Sequence, residues 1–215
     1  MKIVDVLYNK YYPLTVLNRM SARKRNRNKD FTLIVSNCMG GYIYHQLGLP
    51  FLSPTINLMI YQNEYQKFLE NMQYYLTLPF TDGGIQEGVP VGMLGDIRVF
   101  FTHYDSYEDG VKKFKARAKR INWENLYIIA SDRDGVTETD LERLGSINCK
   151  KLICFTAKKH PYPYCFQVKQ FKDEDCVGNI LGKTISGKWK FEKFFDYVGW
   201  LNSDDCVADH FRKYS

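Results

Sequence analysis

The chain has 215 residues, 45% of them hydrophobic and 25% charged, with a formal net charge of +6. That length suits one substantial domain with a full core, and the composition excludes a disordered or collagen-like chain. The positive charge suits an anionic small molecule or glycan and is too modest to require nucleic acid. No RNA-binding aromatic signature or zinc-finger spacing is present, so no nucleic-acid partner is expected. Six cysteines without a Cys-x-x-Cys pair, and no leading secretory or membrane-spanning run, predict reduced thiols in a cytoplasmic protein.

Residues 1–30 read as an N-terminal helical segment and basic linker, with Pro13 expected to kink or stop the helix. The run Arg23 to Lys29 holds five cations in seven residues. Its ordinary meaning is a solvated linker, and its alternative one is peripheral contact with an anionic inner membrane face. The remainder, 31–215, reads as one α/β domain, a three-layer α/β/α arrangement with a mainly parallel central sheet.

The stretch 31–60 holds the most chemistry. A β-prone run from Phe31 to Val35 stops at Ser36, Asn37 and Cys38, then a Gly40-Gly41 pair opens a helical apolar pattern. In an open sheet such a turn lies at the carboxyl end of a strand, where ligands bind and helix N–H groups attract anions. A thiol placed there tends towards a thiolate, so Cys38 is expected to be the most reactive of the six. Ser53 and Thr55, in a proline-rigidified loop, are expected to line the same pocket, although both residue types are also ordinary turn and cap residues.

Further along, Thr81 to Gly84 reads as a loop, and residues from Asn63 to Leu76 as the buried face of one helix. Ile97 to Thr102 is predicted to be a strand running into His103, a candidate general base. A helix starting near Ser106 then carries Arg117 and Arg120 on one flank, where guanidinium groups suit phosphate or carboxylate. Leu126 to Ala130 and Leu152 to Phe155 read as buried parallel strands. The first of them ends in Asp132 and Asp134, an Asp-x-Asp that resembles a metal and nucleotide-sugar site and equally resembles any Asp-rich turn. Residues 189 to 200 are expected to form a last amphipathic helix.

Ser36-Asn37-Cys38-Met39-Gly40-Gly41, Leu47-Gly48-Leu49-Pro50, Ser53-Pro54-Thr55, His103-Tyr104, Arg117 with Arg120-Ile121-Asn122-Trp123, and Asp132-Arg133-Asp134-Gly135 together resemble a bacterial family of unknown function often described as exopolysaccharide biosynthesis proteins. The resemblance implies an α/β fold and a place in capsule assembly, and it supplies no catalytic residues. A likeness to capsule acyltransferases rests on the Asn-Cys pair at a strand end.

If the strands carrying Cys38, His103 and Asp132 share one parallel sheet, their ends converge. The leading expectation is then acyl transfer or hydrolysis on a glycan or its precursor. Cys38 is the nucleophile, His103 the base and Asp132 the orienting carboxylate, while Asn37, Gly40, Gly41, Ser53, Thr55, Arg117, Arg120 and Asp134 bind substrate. Coenzyme A thioester is the donor such chemistry would use, and no metal is expected. The alternatives are a nucleotide-sugar glycosyltransferase with a divalent cation on Asp132 and Asp134, and a non-catalytic glycan-binding protein.

Overall fold

A computed structural model describes the backbone of residues 3–213 and the side chains of residues 13–213. Four short apolar runs form a parallel sheet in the order β1-β5-β6-β7, comprising Thr32–Val35, Leu126–Ser131, Lys151–Thr156 and Cys165–Gln167. Their side chains alternate between two cores, as the period of a strand requires. Leu33, Val35, Tyr127, Ile129, Ile153 and Phe155 pack on one face. Ile34, Leu126, Ile128, Ala130, Leu152 and Cys154 pack on the other. The first face is covered by α1 (Ile3–Arg25), α2 (Met39–Leu47) and α7 (Tyr197–Asn202). The second is covered by α3 (Gln62–Glu70), α4 (Met72–Thr77), α5 (Tyr107–Ala118) and α6 (Glu138–Leu144). This is the three-layer α/β arrangement that the sequence predicts.

Several elements differ from expectation. The helix α1 continues through Pro13 to Arg25, so the basic run begins inside it. There Arg23 donates to the Gln46 carbonyl and Arg25 pairs with Asp196 at 2.6 Å, which ties the segment to the fold. Residues 62–77 form two helices divided at Asn71. Thr81 to Gly84 belongs to β2 (Phe80–Gln86), which pairs with β3 (Val89–Leu94) and β4 (Ile97–Phe100) in a separate antiparallel sheet. Between 189 and 200 there is a short 3-10 turn over Lys190–Lys193 and then the six-residue α7.

Capping explains the helix starts. Ser106 accepts from Asp109 N–H, and Thr137 forms a reciprocal box with Asp140. Gly48, at φ 67, closes α2 in the left-handed conformation that glycine adopts freely. No helix of the described residues is long and apolar enough to cross a membrane.

One buried carboxylate gives a test of this packing. Glu192 is 6% exposed and accepts from Trp189 N–H and the Gln46 amide. Burial raises its pKa, against the Trp189 bond and the field of Lys213, Lys188 and Lys183. A carboxyl whose folded pKa exceeds its unfolded one contributes stability below the unfolded pKa and loses it as pH rises through the folded pKa. Glu192→Gln should therefore raise Tm at about pH 8 and leave it unchanged at about pH 4, measured by calorimetry.

Candidate functional site

Two neighbouring places are built around the turn after β1. The Ser36 carbonyl accepts from Ile60 N–H at 2.8 Å, and Asn37 Oδ1 accepts from Met39 N–H at 2.9 Å, which turns the chain into α2. Cys38 occupies the N-cap of α2 and is partly exposed. The glycines behind it serve close packing. A Cβ on Gly40 would lie 3.3 Å from Val35 Cγ2, and one on Gly41 would lie 2.9 Å from Asn57 Oδ1. The pair, expected to bind substrate, lets α2 lie close against β1 and the 56–57 loop.

The sulfur of Cys38 lies 3.9 Å from Thr102 Oγ1, which in turn approaches the Asn57 carbonyl at 3.4 Å. Asn57 has φ 62, a conformation unusual for a residue with a side chain. Tyr104 Oη donates to the Ile56 carbonyl at 2.8 Å, and Arg117 Nη1 donates to the same carbonyl at 3.2 Å and to Tyr104 Oη. The Arg117 guanidinium also stands 5.2 Å over the Phe51 ring. The 51–57 loop, residues 102–104 and α5 are thus tied to one another, and Cys38 joins them through Thr102. Arg117 holds this loop in place, with only Nη1 committed among the described residues.

Burial raises the Cys38 pKa, opposed by the Thr102 hydroxyl. The resting group is a neutral thiol, and the expectation of an unusually reactive thiolate loses its electrostatic ground. His103 is exposed and makes no hydrogen bond or ion pair among the described residues, although it follows Thr102 directly. The strand before it belongs to the antiparallel sheet, so His103 and Cys38 do not share a parallel sheet edge.

Asp132 does not orient His103. Its Oδ2 accepts from Ala157 N–H at 2.6 Å and its Oδ1 from Val177 N–H at 2.7 Å, so both oxygens pin chain segments. Burial raises its pKa, and these two N–H groups oppose the rise. Asp134 Oδ2 accepts from Gln62 N–H at 3.0 Å. The two carboxylates therefore serve separate loops, which removes the ground for a divalent cation shared between them. Among the described residues no group of three or more His, Cys, Asp or Glu is placed to hold a metal.

Ser53 and Thr55 are fully buried. Thr55 Oγ1 accepts from Val35 N–H at 3.1 Å and shares a hydrogen bond with Ser53 Oγ, so Thr55 satisfies the free edge of β1, Ser53 holds Thr55, and neither lines a pocket. Arg120 lies beyond the end of α5 and is exposed.

A cavity of about 240 Å³ opens at the carboxyl ends of β1 and β5. Asn37 and Met39 line it, whereas Cys38 between them faces Thr102 instead. Gln62, 5% exposed, organises its wall. Its amide donates to Ser36 Oγ, and its Oε1 accepts from Ser131 N–H at 3.2 Å. The buried Ser131 hydroxyl has no partner, and Arg133 on the wall has none among the described residues. Neither Gln62 nor Asn57 carries any sequence signal, because each acts through partners distant in the chain. Arg133 is visible in the sequence only as part of the Asp132-to-Gly135 block.

Fold and site together define an α/β protein with a half-buried thiol at a strand-to-helix turn and a polar cavity beside it. The chain belongs to the family DUF1919, a domain of unknown function, whose model matches residues 10–202. It is also 36% identical over 190 residues to an uncharacterized protein of Haemophilus influenzae, an alignment covering 86% of this chain and 90% of that protein.

Proposed function

We propose that the protein transfers or hydrolyses an acyl group on a glycan or its precursor, in exopolysaccharide or capsule assembly, with Cys38 as nucleophile. The observation that carries this reading is a partly exposed thiol at the first turn of α2, in contact with Thr102 beside a loop that Tyr104 and Arg117 hold. A neutral thiol needs a base, and His103 is the imidazole beside Thr102. As sulfur loses its proton, the Thr102 hydroxyl can turn from the Asn57 carbonyl to the thiolate. The remaining donors of Arg117 suit an anionic donor such as a coenzyme A thioester. The setting that follows is the cytoplasmic side of the membrane where glycan precursors are assembled, with the 23–29 run in peripheral contact. Cleavage of an acyl-coenzyme A, followed by thiol release, tests the reaction. Cys38→Ala should abolish it.

A second reading is favoured by the cavity itself. The unpartnered Ser131 hydroxyl and the Arg133 guanidinium suit a hydroxylated ligand bearing phosphate or carboxylate. At about 240 Å³ the cavity lies below the range of roughly 300–1,000 Å³ usual for drug-sized ligands, so it fits a monosaccharide-sized group better than a whole nucleotide sugar. Binding of a sugar phosphate that is lost in Arg133→Ala, without any thioester cleavage, would select glycan-precursor binding over acyl transfer.

A further inference from the structure

We infer that the face formed by α1 and the turn at 183–189 is a docking surface for an anionic lipid bilayer. Apolar side chains stand out from it. Leu14, Leu17 and Met20 are 42%, 60% and 60% exposed, and Ile185 is 76% exposed. Spacings of three residues place the first three along one stripe of the helix. Thr15 and Ala22, on the opposite stripe, are buried.

The turn that carries Ile185 is held rigidly. Thr184 N–H donates to the Lys188 carbonyl at 2.7 Å, Gly187 N–H donates to the Thr184 carbonyl at 2.9 Å, and Lys183 bridges to Trp189. Asn18 reaches from α1 to the Ser186 carbonyl at 3.0 Å, and Gly187, at φ 72, packs so close to Thr15 that a Cβ would lie 2.7 Å from its hydroxyl. At the turn's base the Trp189 ring stacks on Tyr42 with centroids 3.8 Å apart. Ile185 adjoins Leu14 in one cleft, so it extends the stripe of Leu14, Leu17 and Met20, and grouped exposed apolar side chains mark interaction sites.

Charge selects the partner. Leu14 and Ile185 line one cleft with Lys183, Lys190 and Lys193, and that lining holds no carboxylate. None of these lysines, nor Lys24 at the end of the apolar stripe, forms a salt bridge among the described residues. A two-fold contact with a second copy would bring these lysines against each other, whereas an anionic bilayer accepts both the lysines and the apolar side chains. The assignment also shifts the membrane contact away from the 23–29 run alone, since Arg23 and Arg25 are committed to the fold. It rests on nothing in the thiol chemistry.

Co-sedimentation of the full chain with vesicles tests it. At low salt the protein should bind phosphatidylcholine vesicles containing phosphatidylglycerol and not pure phosphatidylcholine vesicles. The double variant Leu17→Ser, Ile185→Ser should lower the bound fraction about tenfold, as should Lys183→Gln, Lys190→Gln, Lys193→Gln together. Every altered side chain is exposed, and an unchanged far-ultraviolet circular dichroism spectrum confirms the fold. Binding that depends on the lysines and ignores the apolar pair would be adsorption by charge, and would overturn the docking surface. So would parent-like binding in both variants, no binding by the parent, or a concentration-dependent dimer that Ile185→Ser abolishes.

Discussion

Asp132→Ala should be among the most destabilising single substitutions in the chain, with a loss of about 2–4 kcal/mol, because two N–H groups lose a shared acceptor. Ala157 and Val177 are both 0% exposed, and the Asp132 carboxylate is the acceptor for both of their N–H groups. For a chain of this length that corresponds to a fall in Tm of roughly 5–15 °C. Asp132→Asn keeps one oxygen acceptor and should fall between parent and alanine variant. Calorimetry gives the stability, and thioester cleavage below the transition gives the activity. A catalytic orienting carboxylate would instead leave Tm unchanged and remove the rate.

Cys38→Ala should have the opposite profile. The side chain is partly exposed and makes one contact with Thr102, so Tm should change little. Acyl-coenzyme A cleavage should fall by a factor on the order of 1,000 or more, as for removal of a nucleophile. His103→Ala should cost roughly 100-fold to 10,000-fold. Thr102→Val tests positioning. Since the Thr102 hydroxyl lowers the Cys38 pKa, its loss should raise that pKa and move the pH profile of Cys38 alkylation by iodoacetamide to higher pH. A rate loss with no shift of the profile would assign Thr102 a packing role.

The layers of the fold are legible because β1, β5 and β6 are short apolar runs and Ser106 and Thr137 are cap residues in good helical context. The antiparallel sheet is harder to read. β2 contains Gly83 and Gly84 and is mostly exposed, so it lacks the apolar alternation that marks a strand. Pro13 also misleads, since the local rule against proline in helices expects a kink or stop there, whereas α1 runs on to Arg25.

At the site, Cys38 is found where strand, turn and glycine pair place it. Asp132 is misassigned because an aspartate after a strand looks the same whether it does chemistry or pins loops. Its partners lie 25 and 45 residues further along the chain, a separation no local pattern reports. Gln62 is missed for the same reason, bonding Ser36 and Ser131 at separations of 26 and 69 residues. Ser53 and Thr55 are found in a loop but lie buried beside β1, where the Thr55 hydroxyl completes the strand's hydrogen bonding and Ser53 holds Thr55.

In the proposed reaction an acyl group passes through the Cys38 sulfur. In the chemical step the thiolate attacks the thioester carbonyl, the carbon–sulfur bond to coenzyme A breaks, and the proton taken from Cys38 leaves with the coenzyme A thiol. Peptide mass spectrometry after brief incubation with acetyl-coenzyme A and acid quenching reads this directly. The expected result is an acetyl group on the peptide containing Cys38, removed by hydroxylamine and absent from the Cys38→Ala protein. No acyl adduct on Cys38, or equal acylation of the exposed Cys206, would contradict it.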